Sequence, residues 1–229
     1  MFERLKKVFA RNDADVVETA LSEAVSPLSE WASTQGFGYA SAGGKGFALT
    51  GKVRDKAWKL ESGPPSRDYI EGEELRARAD LRLNPDVAVL IMNRPLKEAL
   101  EKRADSVYSD SLQTTADPGL PEEMRWLAMY PEVGWSSLVP EFWERYAVLA
   151  DQRDHALAWV DRNLAELLLH WPAPGPDAQT PFFLMLLRGK AYLRMQYSPA
   201  DMATLQHAAI IYTSACDAAL AGLSTDIPL

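Results

Sequence analysis

The sequence predicts an α+β protein. An antiparallel meander occupies about residues 37–93, a strand–helix–hairpin–helix region about residues 145–222, and helices precede both. Three observations carry this reading. Residues 74–83, Glu-Leu-Arg-Ala-Arg-Ala-Asp-Leu-Arg-Leu, alternate polar and apolar throughout, and side chains on a strand point to opposite faces in turn. Leu75, Ala77, Ala79, Leu81 and Leu83 are therefore expected on a dry face. Glu74, Arg76, Arg78, Asp80 and Arg82 are expected on a wet one, the habit of antiparallel sheets. The glycines of Gly43-Gly44-Lys45-Gly46 suit the positive φ angles of a hairpin. Finally, Met202, Leu205, Ala209, Tyr212, Cys216 and Leu220 recur at helical spacing.

In chain order, Phe2, Leu5, Val8 and Phe9 alternate at helical spacing with Arg4, Lys6, Lys7 and Arg11, which predicts a short basic amphipathic helix. Asp13 and Asp15 can cap a second helix, to about Ala24. Ser26-Pro27 opens a third with serine at the N-cap and proline at N1, and Gly36 closes it in a left-handed cap. Strands follow at Phe37–Ala42, Phe47–Val53 and Ala57–Ser62, the last with Trp58 and Leu60 inward. After the alternating strand and an Asn84-Pro85-Asp86 turn, Val87–Met92 is apolar on both faces and reads as a central strand.

Arg94–Ala104 reads as a helix with Leu96 and Leu100 inward, and Pro121–Tyr130 as a short one with acids in its first turn. Tyr146–Ala150 is a strand. Asp151 then opens a long helix to about Trp171, with Ala156, Val160, Leu164 and Leu167 on one side. Prolines make 172–181 a loop. Phe182–Leu187 and Ala191–Tyr197 form a hairpin about Arg188-Gly189-Lys190. Ser198-Pro199-Ala200-Asp201 is the start signal of the last helix, with serine as cap and aspartate at N3. The organisation expected is a helical segment at 1–36, a meander with its following helix at 37–108, and an α+β region at 109–229 packed with it as one unit.

The 229 residues carry a net charge of −8, with 47% hydrophobic and 24% charged residues. That is a globular composition, and its sign argues against a nucleic-acid backbone binder. No apolar run approaches the about 20 residues a membrane-spanning helix needs. The N-terminus lacks the apolar core of a secretory signal, and the single cysteine, Cys216, excludes an intrachain disulfide. Both point to a reducing cytoplasm.

Catalytic and metal chemistry find little footing. The glycine cluster fails the phosphate-loop pattern, because Tyr39 stands where the first glycine belongs and Gly46 follows the lysine. His155, His170 and His207 have no partners at the helical spacing of zinc ligands, and no nucleophile elbow occurs. No metal, cofactor or catalytic residue is assigned. Two loops stand out. Residues 63–69 offer Arg67, whose planar fork suits a carboxylate or phosphate, with Asp68 and Tyr69. Residues 114–126 offer Asp117, Arg125 and Trp126. These six are the ligand-binding candidates; the alternative reading pairs the arginines with nearby acids. Phe2, Arg4, Leu5, Lys6, Lys7 and Phe9 are the docking candidates, toward a partner or an anionic membrane surface.

Gly46–Gly51 before Lys52-Val53, the alternating strand, and Tyr146-Ala147-Val148-Leu149-Ala150-Asp151 entering a helix resemble bacterial α+β domain proteins with no assigned activity. The resemblance covers residues 37–222. It implies glycine-framed antiparallel strands followed by strand, helix, hairpin and helix, and nothing specific about function. The expectation is a bacterial protein that works by binding an unidentified protein or peptide, without nucleic acid. An enzyme or small-molecule binder with a site between the two loops is the first alternative, and a subunit of a homo-oligomer the second.

Overall fold

The computed structural model describes residues 26–44, 46–110 and 122–224. Its centre is one nine-stranded antiparallel sheet in the order β1-β2-β3-β4-β9-β8-β5-β7-β6. The strands are β1 (Gly38–Ser41), β2 (Phe47–Val53), β3 (Lys56–Gly63), β4 (Glu74–Asp80), β5 (Ala88–Asn93), β6 (Glu132–Val133), β7 (Tyr146–Ala150), β8 (Phe182–Leu187) and β9 (Lys190–Gln196). The helices described are α1 (Pro27–Thr34), α2 (Arg94–Asp110), α3 (Glu122–Met129), α4 (Pro140–Arg145), α5 (Arg153–Trp159), α6 (Arg162–Leu169) and α7 (Met202–Gly222). The α+β class and the antiparallel sheet are as the sequence predicts. So is the succession of strand, helix, hairpin and helix after residue 145.

Strands β1 to β4 form a meander, and the hairpin β8–β9 then inserts between β4 and β5. Strand β5 pairs with β7 and β8 instead of β4. Its composition explains the position. All six of its residues are buried, so it needs cover on both faces, and a place beside β4 would set Leu90 and Met92 among charges.

On one face Leu49, Trp58, Leu60, Leu75, Leu193, Leu184 and Ile91 pack against α7, with α5 and α6 beside it. All five residues read as the dry face, Leu75, Ala77, Ala79, Leu81 and Leu83, are buried. Aromatic rings extend this core by edge contacts from Trp31 through Phe37 and Trp58 to Tyr212, with centroids 5.7, 4.9 and 6.4 Å apart.

Two helix starts differ from expectation. The long helix predicted from Asp151 to Trp171 is two helices, because Asp161 accepts from the amide of Leu164 at 2.7 Å and caps a new start. A short side chain able to bond the next turn competes with helix continuation. Asp151 meanwhile accepts from the amide of Ala88 and faces His155 Nδ1 at 2.8 Å. Helix α7 begins one turn later than expected. Asp201, not Ser198, accepts from the Thr204 amide at 2.8 Å, and Ser198 lies against the backbone of Gly72. Ser26 caps α1 as read, through Ser29 N.

The opposite face divides in two. Over β5, β7 and β8 it carries Leu90, Met92, Leu149, Phe183 and Leu187, covered by Leu96 and Leu100 of α2 and Trp126 of α3. Over β2, β3, β4 and β9 it carries Lys59, Glu61, Arg76, Arg78, Tyr192 and Arg194, and there it forms an open groove. One residue departs from the wet-face reading. Glu74 is wholly buried on this side, because the loop after β3 folds over it and its Oε2 accepts from the Ser66 amide at 2.6 Å.

Candidate functional site

The strand register sets the groove floor. Cross-strand partners run Thr50–Lys59–Arg78–Tyr192–Met185 in one row and Ala48–Glu61–Arg76–Arg194–Phe183 in the next. Each row begins polar or small and ends apolar. The cavity above them is about 1270 Å³. Gln35, Gly36 and Phe37, between α1 and β1, bound one end, and Glu122, Glu123 and Trp126 of α3 bound the other.

Two pairs of like charges stand directly opposite on neighbouring strands, Lys59 with Arg78 and Arg76 with Arg194. Such pairs are destabilising unless anions intervene. Glu61 meets Lys59 at 2.6 Å. Glu74 lies 3.1 Å from Arg194 Nε and 3.9 Å from Arg76 Nη1, and Glu123 lies 3.7 Å from Arg194 Nη1. Among the described residues Arg78 has no ion-pair partner, and neither have Lys52 and Arg188, which also line the groove. The buried Nη1 of Arg194 lacks a hydrogen-bond partner among the described residues.

The sequence-derived loop candidates meet only in part. Arg67 donates through Nε to Glu123 Oε1, and the Tyr69 hydroxyl donates to the same oxygen at 3.2 Å. Burial opposes the Arg67 charge, but the bond and charge of Glu123 outweigh it and raise the guanidinium above its ordinary range. Burial, then the charge of Glu123, pushes the Tyr69 phenol well up. Asp68 turns outward to Arg103 of α2. Trp126 stacks on Phe183 at 5.5 Å with nearly parallel rings, while Arg125 is absent from the groove lining. Of the five candidates among the described residues, Arg67 and Trp126 thus line the groove. Asp117 and the docking candidates Phe2, Arg4, Leu5, Lys6, Lys7 and Phe9 lie outside the described residues.

The sequence reading missed Tyr192, Met185 and Arg194 as site residues. Alternation placed Arg76 and Arg78 on a wet face, but nothing local signals that β9 would be their neighbour.

Chemically reactive groups lie elsewhere. Cys216 belongs to the core on the other side of the sheet, where burial pushes its thiol up to about 12. His170 Nδ1 and His207 Nε2 sit 2.8 and 2.7 Å from the carbonyls of Glu166 and Leu167. Among the described residues no cluster of histidine, cysteine and carboxylates could hold a metal ion, and no helix is long and apolar enough to cross a membrane.

No family model matches the chain, and no curated protein does. A solved structure similar to it is the crystal structure of the mycobacterial trehalose monomycolate transport factor A. The two share 12% identity over 85% of this chain and 93% of that one, with a TM-score of 0.46.

Proposed function

We propose that this chain is a non-catalytic binding protein that takes its partner in the groove over β2, β3, β4 and β9. The observation carrying this reading is the uncovered half of the sheet face. Its opposed like charges, Lys59 with Arg78 and Arg76 with Arg194, outnumber the acids that meet them, and they adjoin the apolar step of Met185 and Tyr192. A sheet face with no partner has no physical reason to concentrate cations in this way, since each adds repulsion. The alternative of a small-molecule or catalytic site between the 63–69 and 114–126 loops has weaker support, because Arg67 and Tyr69 already spend their polar groups on Glu123.

Photo-crosslinking tests the reading. Benzoylphenylalanine replaces Tyr192 in the groove or Arg162 on α6, whose side chain is exposed, in cells that produce the protein. A discrete adduct formed from position 192 and not from 162 is the expected result. Adducts from both positions alike, or none from 192, would count against the groove.

A further inference from the structure

We propose that the groove recognises an acidic peptide segment carrying an aromatic or aliphatic anchor; this rests on the groove being the binding site. The charge pattern points to several carboxylates rather than one. Lys52, Arg78 and Arg188 line the cavity without ion-pair partners among the described residues, beside Arg194, whose guanidinium faces Glu74 and Glu123. These groups span β2 to β9, three strand spacings or roughly 15 Å, more than one carboxylate or phosphate can bridge. Arginine forks donate two parallel hydrogen bonds to a carboxylate.

Exposed ion pairs alone contribute little net binding, so the ligand needs apolar contact as well. Met185 and Tyr192, both half-buried, provide it beside the Trp126–Phe183 stack. The apolar anchor belongs at this end and the acids toward Arg78 and Lys52.

Size and shape select among anionic partners. The volume of about 1270 Å³ exceeds the ~300–1000 Å³ of typical small-molecule sites. The cations lie on a floor between the α1–β1 connection and α3, with Glu122 and Glu123 at one wall, so a flat bilayer would meet the walls first. The chain's net charge of −8 also repels an extended anionic surface at long range. A peptide is narrow enough to enter and reach the cations at short range.

The test pans a display library of random 16-residue peptides on the full chain, with counter-selection on the bare support, and then compares a Lys52→Glu/Arg78→Glu double variant. Both residues are exposed and pair with no described residue, so the fold should tolerate the change. Enriched peptides should be rich in aspartate and glutamate with at least one aromatic or aliphatic residue. Synthesised singly, they should bind at least tenfold more weakly to the double variant and to Met185→Asp, but not to Arg162→Glu. Vesicles of phosphatidylglycerol and phosphatidylcholine form the second arm. Peptides that lack an acidic bias yet fail on Met185→Asp would overturn the acidic chemistry and leave the groove standing. Vesicle binding lost in the double variant, with no peptide selected, would replace the peptide by a membrane. Binding indifferent to every groove substitution would overturn this inference and the groove reading together.

Discussion

Glu74 is wholly buried with its Oε1 3.1 Å from Arg194 Nε, joining the meander to the β8–β9 hairpin by charge where their strands pair. The same carboxylate accepts from the Ser66 amide, so it also pins the loop that carries Arg67. Removing one partner of a buried pair leaves the other uncompensated. Glu74→Gln should therefore cost about 3 kcal/mol in urea unfolding, within the range for such losses. Glu61→Gln, half-exposed and bonded among the described residues only to Lys59, should stay within about 0.5 kcal/mol. Equal losses in the two variants would refute the role given to Glu74.

The two faces of β4 make opposite demands on neighbouring residues. Leu81, almost fully buried just beyond the strand, should not tolerate Leu81→Asp, because an unpaired carboxylate would enter the core. The variant should unfold at 25 °C or lose roughly 4 kcal/mol or more. Arg78→Gln removes one of two like charges set opposite each other, and should be neutral or stabilising by about 0.5 kcal/mol. Thermal unfolding of both variants checks the pair.

The start of α7 separates two residues that look equally suited to capping. Asp201→Ala should cost about 1 kcal/mol through the lost bond to the Thr204 amide. Ser198→Ala should cost less, since its hydroxyl caps no helix in this structure. A reversed order in denaturant midpoints would restore the serine to the cap.

Local pattern made most of this fold legible. Alternation found β4, glycine turns found the β1–β2 and β8–β9 hairpins, and apolar composition on both faces marked β5 as central. Signals acting between distant segments were not readable. The β4–β9 pairing places Arg194 beside Arg76 and Tyr192 beside Arg78 and so builds the groove, yet both strands alternate in the same way whatever their neighbour. The break at Asp161 was hidden because Ala156, Val160 and Leu164 face one core from both helices, which keeps the apolar stripe continuous across the bend. Glu74 looked exposed because alternation assigns a face and cannot tell whether a loop will cover it.

Cys216 gives the pH dependence its sign. Burial is the main cause that lifts its thiol from an ordinary value of 9.0 to about 12, and the charge of Asp217 acts in the same direction. Between those values the unfolded chain releases the thiol proton while the native chain keeps it. The native state then binds more protons, so stability falls as pH rises. The contribution is complete below about pH 9 and is lost as pH climbs toward 12. Tyr197, pushed up to about 12 chiefly by burial, adds to the same alkaline decline. Cys216→Ala should therefore give a shallower fall of unfolding free energy between roughly pH 9 and 11 than the wild type. The comparison is of slopes, because the lost sulfur also leaves a small cavity that shifts both limbs alike. In the native protein a disulfide reagent at pH 8 should label the thiol only as fast as the chain opens, and at once in denaturant. Rapid native labelling, or identical slopes, would place Cys216 outside the core.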